Sequence, residues 1–133
     1  MISSTKNDQV KMVVELRKKA KARNEAGLFV AEGLRMVSEL PPDRAWRLYV
    51  SESFLKNREN AGLLERFSRY EIVTDQVFSA MSDTQTPQGI LALAKQYEYV
   101  LSDLLSAPGP AHLMILENLQ DPGNLGTILR AGE

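Results

Sequence analysis

The segment Glu117-Asn118-Leu119-Gln120-Asp121-Pro122-Gly123-Asn124-Leu125-Gly126-Thr127-Ile128-Leu129-Arg130-Ala131 follows directly on the apolar run His112-Leu113-Met114-Ile115-Leu116. An uninterrupted apolar run of this length reads as a strand covered on both faces. The polar residues after it read as a loop through Asn124, with Asn124 capping a helix that opens at Leu125. A loop that leaves the carboxyl end of a strand and enters a helix is where α/β proteins build ligand sites. Free N–H groups at a helix start favour anions. Arg130, six residues beyond Asn124, offers a planar fork suited to phosphate. The same residues also describe an ordinary capped helix with a surface arginine. One strand and one helix cannot bury a core, so residues 111–133 are expected to be the first βα unit of a truncated domain.

Upstream, Ser106-Ala107-Pro108-Gly109-Pro110 marks a break. Residues 96–110 read as a linker with a helical turn at Leu101–Leu105. Before it, short strands and helices alternate through residue 95. Asn7 and Asp8 can cap a helix running to about Asn24, with Met12, Val13, Leu16 and Ala20 on one stripe. Gly27 suits the left-handed position that ends a helix. Leu28–Ala31 is a strand, Glu32-Gly33 a turn, and Leu34–Leu40 a helix stopped by Pro41-Pro42. Trp46–Val50 is the next strand, followed by a helix over Ser51–Phe67 broken near Gly62. Tyr70–Val73 is a third strand, Thr74-Asp75 caps a helix through Met81, and Ile90–Ala94 is a fourth strand after the polar loop Asp83–Gly89. The pattern predicts an α/β sandwich with a small sheet over residues 1–95. Trp46, Tyr49, Phe54 and Phe67 sit in apolar patterns and are expected in its core.

The chain has 133 residues, 44% of them apolar and 25% charged, the range of ordinary globular domains. Cysteine is absent, so disulfides, thiolate metal sites and Cys nucleophiles are excluded. His112 is the single histidine. That argues against a zinc site, and no metal is expected. As the front residue of an apolar run, His112 reads as a strand-edge residue rather than part of a catalytic triad. Neither a signal peptide nor a membrane-spanning apolar stretch is visible, so the expectation is a cytoplasmic protein without membrane partners.

Net charge is −1, unevenly spread. Residues 1–35 hold eight Lys/Arg against four Asp/Glu, whereas residues 36–133 hold eight against thirteen. A basic end on a mildly acidic chain points to a local anionic partner. Lys11 and Lys18, seven apart, lie nearly above one another on the polar face of the first helix. Arg17, Lys21 and Arg23 flank them, and Arg35 follows the Glu32-Gly33 turn. This cluster can track an RNA backbone, or it can be a solvated helix face.

The segment Glu117–Ala131 resembles the first signature motif of the SpoU (TrmH-like) family of RNA ribose 2′-O-methyltransferases, in the knotted SPOUT class. That motif has Glu-Asn after the strand, Asn at the helix start and Arg six residues later, matched by Glu117, Asn118, Asn124 and Arg130. Ala131 stands where the family often has Thr. Two further stretches are similar to the family's accessory domain. One runs from the basic helix through Gly27 and Phe29 to Glu32, Gly33 and Arg35. The other is Ser82-Asp83-Thr84-Gln85-Thr86-Pro87-Gln88-Gly89-Ile90-Leu91-Ala92.

The resemblance implies a small α/β/α sandwich like that of kink-turn-binding ribosomal proteins, followed by the start of a knotted catalytic domain. It implies methyl transfer from S-adenosylmethionine to a ribose 2′-hydroxyl of rRNA or tRNA. Arg130 would be the catalytic arginine, Asn124 would hold the loop, and Glu117 and Asn118 would organise the floor of the site. A guanidinium is a poor base, so Arg130 would act through a substrate phosphate. Lys11, Arg17, Lys18, Lys21, Arg23 and Arg35 would contact RNA. The cofactor motifs of this class lie farther along than residue 133, so the chain alone is expected neither to hold the cofactor nor to methylate. A homodimer is expected once the catalytic domain is complete. The alternative is a stand-alone RNA-binding or ribosome-associated module without catalysis.

Overall fold

A computed structural model of the protein describes residues 1–110 and 112–132. It forms two compact units, Met1–Tyr97 and Glu98–Glu133.

The first unit is built on a four-stranded sheet of β1 (Leu28–Glu32), β2 (Ala45–Ser51), β3 (Glu71–Val73) and β4 (Ile90–Lys95), in the order β1-β4-β2-β3. Strand β4 pairs antiparallel with both β1 and β2, while β3 lies parallel to β2. Ile2 extends the β3 edge: its amide donates to Ile72 O at 2.7 Å and its carbonyl accepts from Thr74 N at 3.0 Å.

Both faces of the sheet are covered. Leu91 and Leu93 of β4, with Tyr49 and Leu28, pack against Val10, Val13 and Leu16 of α1 (Asp8–Lys18) and Val77, Phe78 and Met81 of α6 (Asp75–Met81). Ile90, Ala92 and Ala94, with Leu48 and Val50, pack on the other side against Val37 of α3 (Leu34–Glu39), Phe54 of α4 (Glu52–Lys56), Leu64 of α5 (Ala61–Leu64) and Phe67. The strict alternation along β4 explains why a strand with no polar residue before Lys95 is central: each face needs its own apolar set. Full burial of one such side chain contributes about 1.5–3 kcal/mol.

Local signals account for most helix ends. Asn7 caps α1 by accepting from Gln9 N at 2.9 Å, and Thr74 caps α6 by accepting from Val77 N at 3.3 Å. Gly27 ends α2 (Ala20–Ala26) with φ 63° and ψ 29°.

The first helix is not continuous to Asn24. It breaks at Lys19, whose backbone is extended (φ −119°, ψ 113°). Arg23 Nη1 donates to the carbonyls of Leu16 and Arg17 at 2.8 and 3.0 Å, satisfying acceptors that the break exposes. The helix expected over Ser51–Phe67 breaks at Asn57 rather than at Gly62, which lies inside α5. Asn57 accepts from Glu59 N, and Asn60 Nδ2 donates to Phe54 O. Short amide side chains compete in this way for helical backbone groups.

Tyr49, Phe54 and Phe67 are in the core as expected, but Trp46 is 39% exposed. The pairing of β2 with β4 shifts between Ala45 and Arg47, which face the consecutive residues Ala94 and Leu93. Trp46 is thus the extra residue of a β-bulge. Ala45, not Trp46, packs on the face shared by Leu48 and Val50, and the bulge turns the indole outward.

In the second unit, α7 spans Leu101–Leu105 and α8 spans Pro122–Ala131. The run His112–Leu116, expected as a strand, forms no ladder; Leu113, Met114 and Ile115 are 63%, 66% and 91% exposed. A strand is defined by a paired neighbour, and among the described residues none pairs with this run.

Candidate functional site

The two upstream motifs, fifty residues apart in sequence, meet at one end of the sheet. Glu32 ends β1. Its carboxylate accepts from Ser82 Oγ, from Thr84 Oγ1 at 3.3 Å and from Asp83 N at 3.3 Å. Gln88 Oε1 accepts from Leu34 N at 2.8 Å, serving as the side-chain cap that Gly33 cannot supply to α3. Gly33 N donates to Ile90 O at 3.0 Å. At φ +95°, a Cβ on Gly33 would stand 2.8 Å from Gln88 Oε1. The Glu-Gly turn and the Ser82–Gly89 loop thus form one hydrogen-bonded surface.

The basic residues divide into two groups. Arg17 is only 17% exposed; its Nη1 donates to Met81 O at 2.9 Å and to Ser82 O, tying α1 to the same loop. Arg23 is the bridge across the helix break. Both guanidiniums hold backbone. Lys11, Lys18, Lys21 and Arg35 are exposed. Lys11 lies 3.4 Å from Asp8, Lys21 3.7 Å from Glu25 and Arg35 3.4 Å from Glu39. Such exposed pairs are worth little and release readily to a stronger anion. Lys18 has no ion pair among the described residues.

Two titratable groups near the sheet ends are displaced from their ordinary values. Burial raises the Tyr49 phenol, and Arg47 opposes this; Tyr49 OH donates to Gln9 Oε1 at 3.1 Å. The Asp75 carboxyl is lowered because the Ser53 hydroxyl and amide both donate to it, at 2.7 and 3.1 Å.

In the second unit, the cap of α8 is Asp121, not Asn124. Asp121 Oδ1 accepts from Gly123 N at 2.7 Å and from Asn124 N at 3.3 Å. Pro122 takes the first helical position, where its missing N–H costs nothing, and this moves the helix start three residues ahead of the expected Leu125. Asn124 is therefore in the first turn. Arg130 is exposed near the far end, its Nη2 at 3.3 Å from Thr127 Oγ1. The side chain folds back over Gly126, where a Cβ would stand 3.3 Å from Nη1. Asn118 has φ +53°, a left-handed conformation that costs most L residues about 1–2 kcal/mol and that asparagine tolerates. Glu117 is exposed. The positive-φ Asn118 and the cover of Arg130 over Gly126 are features that pattern reading missed. The Asp-Pro pair could have revealed the true cap.

S-adenosylmethionine, implied by the resemblance, carries an ammonium and a carboxylate that need fixed polar partners. The second unit holds a cavity of about 380 Å³ lined by Leu113, Met114, Leu116, Ile128 and Leu129, with His112 and Gly132. Among the described residues no Asp, Glu, Lys or Arg lines it. These residues do not fit that group.

Residues 7–92 match the family model described as the MRM3-like substrate binding domain. The chain is 30% identical over 133 residues to the 23S rRNA (guanosine(2553)-2'-O)-methyltransferase RlmP of Bacillus subtilis, covering 99% of this chain and 50% of that protein. It is also 30% identical over 134 residues to an uncharacterized tRNA/rRNA methyltransferase of Synechocystis, covering 97% of this chain and 47% of that protein. A crystal structure of an RNA 2'-O ribose methyltransferase matches with a TM-score of 0.71 and 28% identity, covering 98% of this chain and 50% of that one. The AdoMet-bound rRNA methyltransferase from Sinorhizobium meliloti matches with a TM-score of 0.62 and 26% identity, covering 98% and 49%. The chain spans about half the length of the curated relatives it matches.

Proposed function

Since this chain belongs to the family of MRM3-like substrate binding domains, we propose that it supplies the RNA-binding domain and the first catalytic motif of an S-adenosylmethionine-dependent RNA ribose 2′-O-methyltransferase. The observation that carries this reading is the reach of the similarity. It runs through both units, over 99% of the chain, in alignment with an rRNA 2'-O-methyltransferase. Residues 1–95 then form an RNA-binding domain akin to kink-turn-binding ribosomal proteins. Residues 96–110 are a linker, and residues 111–133 open a knotted catalytic domain that dimerises when complete. The substrate is rRNA or tRNA.

In this reading Lys11, Lys18, Lys21 and Arg35 meet RNA phosphates. Arg17 and Arg23 sit among them and set the helix positions from which the lysines reach out. A 2′-hydroxyl must lose its proton as the new bond forms, so a positioned acceptor is needed. Arg130 holds a substrate phosphate in place for that role, because a guanidinium is a poor base. Asn124, in the first turn of α8, helps hold the loop that precedes the helix, and Glu117 and Asn118 shape the floor below it.

RNA titration of the Lys11→Glu/Lys18→Glu variant tests the first half. Loss of two phosphate contacts lowers the slope of log K against log salt by about 1.4–1.8. An unchanged slope and affinity would remove the basic helix from the interface. Arg130→Lys in the protein carrying the complete catalytic domain tests the second half. A large loss of methyl transfer is expected, and near-normal transfer would sink the planar-fork role.

A further inference from the structure

A tryptophan turned out of a core by a β-bulge gives up burial unless the exposed ring has another use. Trp46 lines a cavity of about 250 Å³ at the starts of β2 and β3, together with Gln9, Arg47, Leu48, Arg69, Tyr70 and Glu71. Tyr70 is 39% exposed, the same as Trp46. The Arg47 guanidinium lies 4.5 Å from the Trp46 ring centroid, and Arg44 lies 4.3 Å from the Tyr97 ring on the same end of the sheet. Neither Arg47 nor Arg69 makes an ion pair with an acid among the described residues, and Glu71 is the one carboxylate among them lining the cavity.

This end is distinct from the surface built by Glu32, Gly33 and the Ser82–Gly89 loop. Trp46 lies near the start of β2 and Ser51 at its end, and Ser51 N donates to Gly89 O at 2.9 Å. At about 3.3 Å per residue the two ends are roughly 16 Å apart.

We propose that Trp46 and Tyr70, flanked by Arg47 and Arg69, form a second RNA contact that takes one unpaired nucleotide, base against the rings and phosphate against the guanidiniums. The chemistry is that of single-strand binding: aromatic faces stack on any base, and arginines neutralise the backbone beside it. Arg47 stacks on the indole, and the 39% exposure of Trp46 leaves ring surface for a base. Two guanidiniums without an ion pair among the described residues favour a polyanion over a protein partner, although Trp, Tyr and Arg also mark protein hot spots. The inference rests on the RNA-binding reading above and adds to it which nucleotide state is recognised and where.

Trp46 is the single tryptophan in the chain, so its emission reports this site alone. The test titrates the full chain with a single-stranded oligouridylate of about eight nucleotides and with a duplex RNA. Affinity is read from anisotropy of labelled RNA, and stacking from Trp46 fluorescence. Quenching by the single strand and not by the duplex is expected. Trp46→Ala or Tyr70→Ala weakens single-strand binding about 5- to 150-fold with unchanged thermal unfolding, and Trp46→Phe retains most of the affinity. Arg69→Ala lowers the salt slope by about 0.7. If single-stranded RNA binds with Trp46 emission unmoved and both alanine variants neutral, this site is refuted while the basic-helix reading stands. If neither RNA binds, both fall together. If Trp46 emission instead follows protein concentration, in step with sedimentation, the face is a contact between copies and the inference is overturned.

Discussion

Replacing Gly89 by alanine tests how the Ser82–Gly89 loop is held to the sheet. Gly89 has φ +83°, and a Cβ there would stand 2.5 Å from Ser51 Oγ and 3.0 Å from Phe54 Cβ. Three effects combine. Holding an L residue in this left-handed region costs about 1–2 kcal/mol. Pushing Ser51 Oγ aside breaks the cap it makes by accepting from Phe54 N at 3.1 Å, worth about 1 kcal/mol. Alanine restricts the unfolded chain, which offsets about 0.4–1 kcal/mol. The net loss is about 2 kcal/mol, a fall in Tm of roughly 8–16 °C for a unit of this size. Urea unfolding followed through Trp46 reads it directly, because that residue belongs to the first unit. Ser51→Ala removes the atom at 2.5 Å and also the cap. The double variant should therefore lose about 1 kcal/mol less than the two single losses added. A Gly89→Ala loss below about 0.5 kcal/mol, or strict additivity, would refute the close-packed turn.

Arg17→Met should cost about 1.5–3 kcal/mol in urea unfolding, since it strips a charged donor from the carbonyls of Met81 and Ser82; a neutral result would mean that Arg17 points to solvent. Asp75 gives an acid-side prediction. Its folded pKa lies below the ordinary 3.8 because Ser53 donates to the carboxylate, so its contribution is present above 3.8 and is lost as pH falls through the lower folded value. Ser53→Ala should lower stability at neutral pH, where that contribution is present, and flatten the acid limb so that the variant and the unsubstituted protein converge at low pH; an unaltered limb measured by thermal unfolding against pH would contradict it. Asp121→Ala should weaken the start of α8 by about 1 kcal/mol, seen as loss of helical chemical shifts at Pro122–Leu125, whereas unchanged shifts would assign the cap elsewhere.

The elements legible in the sequence are those whose causes are local. Asn7, Gly27 and Thr74 act on backbone groups within a few residues, and each ends or starts a helix where its chemistry says it should. The apolar alternation of β4 likewise follows from the needs of two faces. The Glu32-Gly33 and Ser82–Gly89 motifs were visible as motifs, but not that Glu32 and Gln88 bind one to the other. The candidate site was legible to a lesser degree. Lys11, Lys18, Lys21 and Arg35 are surface cations as read, while Arg17 and Arg23 look identical in the sequence and yet grip backbone carbonyls. A helix opening at Leu125 is legible in the sequence, but its start at Pro122 is not, because Asp121 rather than Asn124 supplies the cap.

By itself, the sequence determined the alternation of elements, most of their ends and the segregation of apolar residues to the two faces, since each rests on contacts between near neighbours in the chain. Tertiary structure alone decided the rest. The break at Lys19 depends on Arg23 reaching back to α1. The exposure of Trp46 depends on the register between β2 and β4, where one extra residue reverses the direction of a side chain. The fate of His112–Leu116 depends on partners, because a strand's hydrogen bonds are made with another segment and no pattern within the run can supply them.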